Sequence, residues 1–343
     1  MNQRRKAGRE HARGHELARR QATAGTDSPA GMRFGLALGG GAARGWSHIG
    51  VLRVLLREGL RPSVIAGSSI GAVVGGCYAA GKLDELEEFA RSLTTRRVVG
   101  LLDFHLNGSG LLAGDRLQKL LLEHLGELGI EDLPLRFAAV ATELGSGHEI
   151  WMTRGPLAEA LRASYALPGV FDAVALDGRW LMDGALVNPI PVNAARVLGA
   201  EAILAVNLNG QLRGRAAIAH AAGSDIDDEP GDGTEEANDN LLRRFFQPLQ
   251  NAIPGGRGQS QRPRPPGLGT VLMDVLNITQ DRIARSRLAG DPPDVMVTPR
   301  LSDVGLFDFH RAADIIALGE KAMERTLPDL LEYLTGDDGN SVD

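Results

Sequence analysis

Val64-Ile65-Ala66-Gly67-Ser68-Ser69-Ile70-Gly71 is a short apolar run ending in a serine flanked by glycines. Such a run, followed by small residues as far as Ala80, reads as strand, sharp turn, helix. A serine on this turn projects its hydroxyl away from its own backbone. Gly67 and Gly71 remove the side chains that would block an incoming carbonyl. Upstream, the apolar run Phe34 to Leu38 leads into Gly39-Gly40-Gly41-Ala42-Ala43-Arg44-Gly45. A glycine loop there can supply the backbone N–H donors that an acyl-transfer oxyanion needs. Together the two motifs imply the chemistry of a serine hydrolase.

The alternation continues outward. Trp46–Glu58 reads as a helix with Ile49, Leu52 and Leu56 on one face, and Gly59 stops it. Asp84–Leu93 and Asp115–Leu125 read as amphipathic helices, with Thr94–Gly110 as a long connection suited to a lid. Arg136–Thr142 and Glu149–Met152 read as strands, and Gly155-Pro156 opens a helix through Ala163. Asp177-Gly178 joins two strands, Val174–Leu176 and Arg179–Met182, as a hairpin. Helix Pro191–Leu198 and the apolar strand Ala202–Leu208 follow, then helix Val271–Arg287, strand Asp294–Thr298 and closing helices over Phe309–Leu334. Alternating strands and helices predict an α/β domain, three-layered, with a central and mostly parallel sheet.

Composition bounds the function. The chain has 343 residues, 43% of them hydrophobic, enough for one large domain with its own core. A net charge of −6 and only 4% aromatic residues exclude general nucleic-acid binding. Cys77 is the single cysteine, so no internal disulfide forms and a reducing compartment is expected. No apolar run spans a bilayer, and none follows Arg4-Arg5-Lys6 as a secretory signal requires. The expected location is cytoplasmic, with peripheral contact at the inner membrane as a further option. Residues 1–31 read as a basic disordered tail, 32–335 as the folded domain, and 336–343 as a second tail. A low-complexity insertion interrupts the domain at about 210–268, and its stretch Leu241-Leu242-Arg243-Arg244-Phe245-Phe246 reads as a local helix in a surface insertion or as a short amphipathic helix that touches membrane or partner.

Ser69 needs a base to remove its proton. Two candidates stand. Asp183, in Met182-Asp183-Gly184-Ala185, ends an apolar strand, and Gly184 leaves room beside it. Partial burial lifts an aspartate from its usual value of about 4 toward the useful range. Alternatively a histidine completes a triad in the chain order Ser, Asp, His. Only His220 and His310 follow Asp183; His220 borders the insertion, and His310 stands at a helix start where capping or packing is its commoner role. Ser69 could also be a plain helix N-cap. The glycine loop could cradle a phosphate, but its spacing is not Gly-x-Gly-x-x-Gly and no Walker Lys-Ser/Thr follows. Arg44 reads as a brace for the loop ahead of a head-group contact, and His48 as packing or capping. No zinc or calcium spacing occurs, so neither metal nor cofactor is expected.

The residues now match a family. The glycine loop, His48-Ile49-Gly50-Val51-Leu52, Gly67-Ser68-Ser69-Ile70-Gly71 and Asp183-Gly184-Ala185 resemble the patatin-like phospholipases. Phe137–Thr142, Arg162-Ala163-Ser164, Ala166–Phe171 and Asn188-Pro189-Ile190-Pro191-Val192 strengthen the match. Order and spacing are similar to the bacterial RssA-like branch, related to the catalytic domain of neuropathy target esterase. The resemblance implies a patatin-like fold with a nucleophile elbow and hydrolysis of acyl esters of lipids through an acyl-enzyme, without cofactor. It implies Ser69 as nucleophile, Asp183 as base without histidine, and Gly39, Gly40, Gly41, Ala42 and Arg44 as the oxyanion loop. Two departures stand out: Asp172-Ala173, where the family often carries a proline, and the length of the insertion. An acyltransferase on the same dyad and a non-enzymatic lipid- or protein-binding adaptor are the alternatives.

Overall fold

The computed structural model describes residues 31–101, 110–112, 115–210 and 268–336. The expectations for both tails, for His220, for Leu241–Phe246 and for nearly all of the insertion lie outside these residues. The chain divides into two units: Met1–Leu212 with Gln280–Asp343, and Arg213–Thr279, of which only 268–279 are described.

In the first unit, strands β1 (Phe34–Leu38), β2 (Val64–Ser68) and β4 (Arg136–Glu143) run parallel. So do β9 (Ala202–Val206) and β10 (Val295–Val297), while β3 (Gly110–Leu112) lies elsewhere. The sheet order is β10-β9-β1-β2-β4-β8-β7, where β7 is Val174–Leu176 and β8 is Arg179–Asp183, and β5 (Glu149–Met152) also pairs with β4. The last three are antiparallel to their neighbours, so the sheet is mixed but mostly parallel.

Strand periodicity explains the layers. Phe34, Leu36, Leu38 and Ile65 enter a large apolar cluster, whereas Ala37, Val64, Ala66 and Val140 enter a smaller one. Successive side chains point to opposite faces, so both faces must be covered. Helices α1 (Ser47–Arg57) and α2 (Ile70–Ala79) contribute Ile49, Leu52, Leu55 and Val74 to the large cluster. Leu157 and Leu161 of the helix Leu157–Tyr165 and Ile315, Ile316 and Met323 of the closing helix Ala312–Thr335 join them. On the other face sit Val192, Ala194 and Ala195 of the helix Val192–Val197 and Ala284 of the helix Leu268–Gly290. Each fully buried leucine or isoleucine stabilises this arrangement by roughly 1.5–3 kcal/mol. The expected three-layer α/β architecture is present.

In chain order the remaining helices are α3 (Leu83–Arg91), α4 (Thr95–Leu101) and α5 (Asp115–Leu125); those named above by range become α6 (Leu157–Tyr165), α7 (Val192–Val197), α8 (Leu268–Gly290) and α9 (Ala312–Thr335). The hairpin expected at Asp177-Gly178 forms with φ of 50° and 74°, the left-handed pair that a two-residue turn requires. Two features differ from the sequence reading. The connection Thr94–Gly110 contains α4, and β6 (Gly169–Phe171) pairs in parallel with β3 in a separate two-stranded sheet. Three-residue strands carry too little periodicity to be seen, and their pairing is set by tertiary contact.

Candidate active site

The register of β4 places the two candidate groups, Ser69 and Asp183. β5 pairs with Ala139–Thr142 and so occupies one edge of β4. β2 pairs with Arg136–Val140 and β8 with Ala141–Glu143, and each overlaps the span of β5. A strand edge accepts one partner at a time, so β2 and β8 share the opposite edge, one after the other. Ser68 ends β2 beside Val140, and Asp183 ends β8 beside Ala141. Two strands far apart in sequence therefore finish at one point, and Ser69 Oγ donates to Asp183 Oδ2 at 2.6 Å.

Ser69 stands between β2 and α2 with φ 55° and ψ −128°. This backbone is sparsely populated for a residue with a side chain and stores roughly 1–3 kcal/mol of strain. Ser69 occupies the N-cap position of α2 but makes no side-chain cap bond. Its hydroxyl goes to the carboxylate instead, which sets aside the plain N-cap reading. Gly67 and Gly71 permit the turn: a Cβ at Gly67 would lie 2.5 Å from Ala72, and one at Gly71 would collide with the carbonyl of Leu38. The Ser69 N–H donates to Ser164 Oγ at 3.0 Å, and Ser164 Oγ donates to the Val140 carbonyl at 2.6 Å.

Asp183 is 1% exposed. Burial pushes its carboxyl up to about 6, against the hydrogen bonds from Ser69 and the Ala185 N–H, which favour the charged form. Ala185 N donates to Oδ1 at 2.8 Å, so one oxygen is anchored and the other faces the serine. Thr142 Oγ1 donates to the Asp183 carbonyl at 2.8 Å. Among the described residues no histidine hydrogen-bonds Ser69 or Asp183; His310 lies in the 3₁₀ turn Phe309–Arg311.

The glycine loop passes directly beside the serine, since a Cβ on Gly40 would stand 3.3 Å from Ser69 Cβ. Its N–H groups are not equivalent. Gly39 N donates to Val206 O, Gly40 N to Pro189 O, Ala43 N to Leu306 O and Arg44 N to Gly41 O. Gly41 and Ala42 keep N–H groups without a partner among the described residues, and Ala42 has φ 50°. Arg44 is buried; its Nε donates to Val304 O at 2.9 Å and its Nη1 to Asn209 Oδ1 at 3.4 Å, which makes it a brace. Burial lowers its pKa, opposed by nearby Asp308.

His48 is fully buried with Nε2 at 2.8 Å from the Gly39 carbonyl. Burial drives its pKa down to about 4, so the neutral ring donates from Nε2 and holds the start of the loop. Sequence reasoning quoted Ser164 only for its likeness to a motif and gave Thr142 no role. A lone serine on a helix and a lone threonine on a strand carry no signal of a distant partner. Among the described residues no group of three or more His, Cys, Asp or Glu side chains could hold a metal ion, and no helix is long and apolar enough to cross a membrane.

Comparison with known proteins adds to this geometry. The patatin-like phospholipase family model matches residues 36–196. An uncharacterized NTE family protein of Mycobacterium tuberculosis is 34% identical over 336 residues, covering 88% of this chain and 92% of that protein. Lysophospholipase NTE1 of Pyricularia oryzae is 26% identical over 323 residues, covering 90% of this chain and 19% of that protein. Among solved structures, VipD from Legionella pneumophila aligns with a TM-score of 0.48 at 14% identity, over 88% of this chain and 69% of its own.

Proposed function

The chain belongs to the NTE group of the patatin-like phospholipase family, and on that premise we propose that it hydrolyses acyl esters of lipids with a Ser69–Asp183 dyad. The observation that carries this reading is the 2.6 Å hydrogen bond from the strained serine to a buried carboxylate whose other oxygen is anchored. Above a pH of about 6 Asp183 is ionised and accepts the Ser69 proton as Oγ attacks the acyl carbonyl. The resulting oxyanion is met by the Gly41 and Ala42 N–H groups, which have no partner among the described residues. Gly39, Gly40 and Arg44 hold that loop in place through their own bonds. Protonated Asp183 returns its proton to the leaving alcohol. It then takes one from the water that attacks the acyl-enzyme and passes it to Ser69 Oγ as the Oγ–acyl bond breaks and the fatty acid departs.

Lipid substrates reside in membranes or micelles, and two exposed apolar side chains near the end of β4 are suited to meeting one. Leu144 and Trp180 are 54% and 57% exposed, and Leu144 N donates to Trp180 O at 2.7 Å. Leu144 directly follows β4, three positions beyond Ala141. A peripheral visit to the inner membrane from the cytoplasm fits these exposed apolar side chains. The folded domain is taken as 32–335, interrupted at about 210–268.

Labelling with a fluorophosphonate probe tests the proposal. Wild type should label, folded Ser69→Ala should not, and Asp183→Asn should label far more slowly. Equal labelling of wild type and Ser69→Ala would refute the assignment. Product analysis with an added acceptor alcohol separates hydrolysis from acyl transfer, since a transferase would yield the new ester.

A further inference from the structure

Behind the nucleophile lies a polar cluster that the dyad chemistry does not use. Glu149 opens β5, and its side chain is 14% exposed. Its Oε1 accepts from Trp151 Nε1 and from Asn188 Nδ2, the latter at 2.6 Å. Its Oε2 pairs with Arg287 Nη2 of α8 at 2.9 Å. Asn188 is fully buried, and its second Nδ2 hydrogen goes to Asn193 Oδ1 at 2.7 Å. Both donors of the amide are thus committed, and its plane is set by two acceptors.

The backbone of the same residue reaches three parts of the site. Asn188 N donates to Gly184 O at 2.9 Å, in the turn that follows Asp183. Asn188 O accepts from Ser68 Oγ at 2.6 Å, next to the nucleophile. The following carbonyl, Pro189 O, accepts the Gly40 N–H at 3.0 Å, in the glycine loop. One dipeptide therefore braces the base turn, the elbow and the oxyanion loop together. A mostly buried carboxylate and a buried amide are a poor choice for stability alone, since apolar side chains of like volume serve as well or better. What a polar clamp adds is a single defined geometry.

We propose that Glu149 and Asn188 are positioning residues: the Arg287–Glu149–Asn188 clamp holds the Asn188-Pro189 strut that sets Ser69 against its oxyanion donors. Neither side chain touches the Ser69 hydroxyl or the Asp183 carboxylate, so both act through the strut. The inference rests on the dyad reading above.

The test measures kcat and KM on a soluble p-nitrophenyl ester, and fluorophosphonate labelling rates, with the full chain. Glu149→Ala should lower kcat by roughly 10- to 100-fold, the scale of a misplacement near 1 Å, with KM almost unchanged. Arg287→Ala should lower it less. The double variant should be no worse than Glu149→Ala alone, because Arg287 acts only through Glu149. Glu149→Gln keeps an acceptor for Asn188 and should recover most of the activity. Wild-type kcat in folded Glu149→Ala, or losses that multiply in the double variant, overturns the clamp. If Glu149→Ala does not fold, Arg287→Ala decides: wild-type kcat there overturns it as well. Labelling of wild type that persists in Ser69→Ala counts instead against the dyad itself.

Discussion

Gly50 and Gly319 do at the crossing of α1 and α9 what Gly67 and Gly71 do at the elbow: each lets backbone touch backbone. A Cβ on Gly50 would collide with the Ile316 carbonyl, and one on Gly319 with the Ser47 carbonyl. At the crossing this closeness is surrounded by fully buried Ile49, Ile315 and Met323, whose burial favours the folded state. At the elbow the same closeness holds a serine at φ 55° beside a carboxyl pushed up to about 6. Both features oppose folding. Similar close packing thus stabilises one region and, in the other, holds an unfavourable arrangement of the kind that marks candidate functional sites. The regions meet at the start of α1, where His48 holds the Gly39 carbonyl one residue after Ser47 meets Gly319.

The dyad variants should break the comparison most sharply. Ser69→Ala and Asp183→Asn should each lower kcat by about 10³-fold or more, the scale seen when a nucleophile or its orienting partner is removed. Asp183→Asn should also melt higher at pH 8. The folded state binds the Asp183 proton more tightly than the unfolded chain, so stability falls as pH rises from about 4 to about 6 and stays reduced above. A shift from 3.8 to about 6 corresponds to a penalty on the order of 2–3 kcal/mol. Thermal unfolding at pH 8 checks this, and a lower melting temperature for Asp183→Asn would sink the claim that burial of this charge is unfavourable.

The pH profile comes next. Below a pH of about 6 the base is protonated, and kcat/KM should drop close to tenfold per unit. A profile flat down to pH 4.5 would mean that Asp183 is not the base. His48 adds an opposite term to stability. Its depressed pKa makes the folded state lose stability as pH falls from about 6.5 to about 4, and His48→Gln should flatten that part of a melting series.

Gly319→Ala tests the other region. Overpacking at the crossing should destabilise by about 1–3 kcal/mol, while the folded fraction keeps a wild-type kcat. A selective loss of kcat with unchanged melting would erase the distinction between the two regions. The smallest effect belongs to Ala42→Gly. Relief of φ 50° should raise stability by up to ~1 kcal/mol, and a looser loop should lower kcat a few-fold. Paired melting and kinetic measurements distinguish these signs.

Much of this was legible in the chain itself. The strand–turn–helix around Ser69, the hairpin at Asp177-Gly178 and α5 at Asp115–Leu125 are local, because glycine placement, left-handed turn residues and a 3.6-residue apolar period act over a few neighbours. Ser69 and Asp183 could be named as nucleophile and candidate base for the same reason. Their meeting could not be read from spacing, because it depends on β2 and β8 sharing one edge of β4. Nor could the choice of Gly41 and Ala42 as the unpaired donors, since Val206 and Pro189 claim the first two amides of the loop from more than 100 residues away. Asn188 stood in a quoted motif, but its contact with Glu149, and through it with Arg287, was not legible, for the three lie far apart in sequence. Residue types and local spacing determined which groups the chain has for chemistry. Register and long-range hydrogen bonds decided which of them face each other, because those choices are made only when separate strands compete for the same backbone edge.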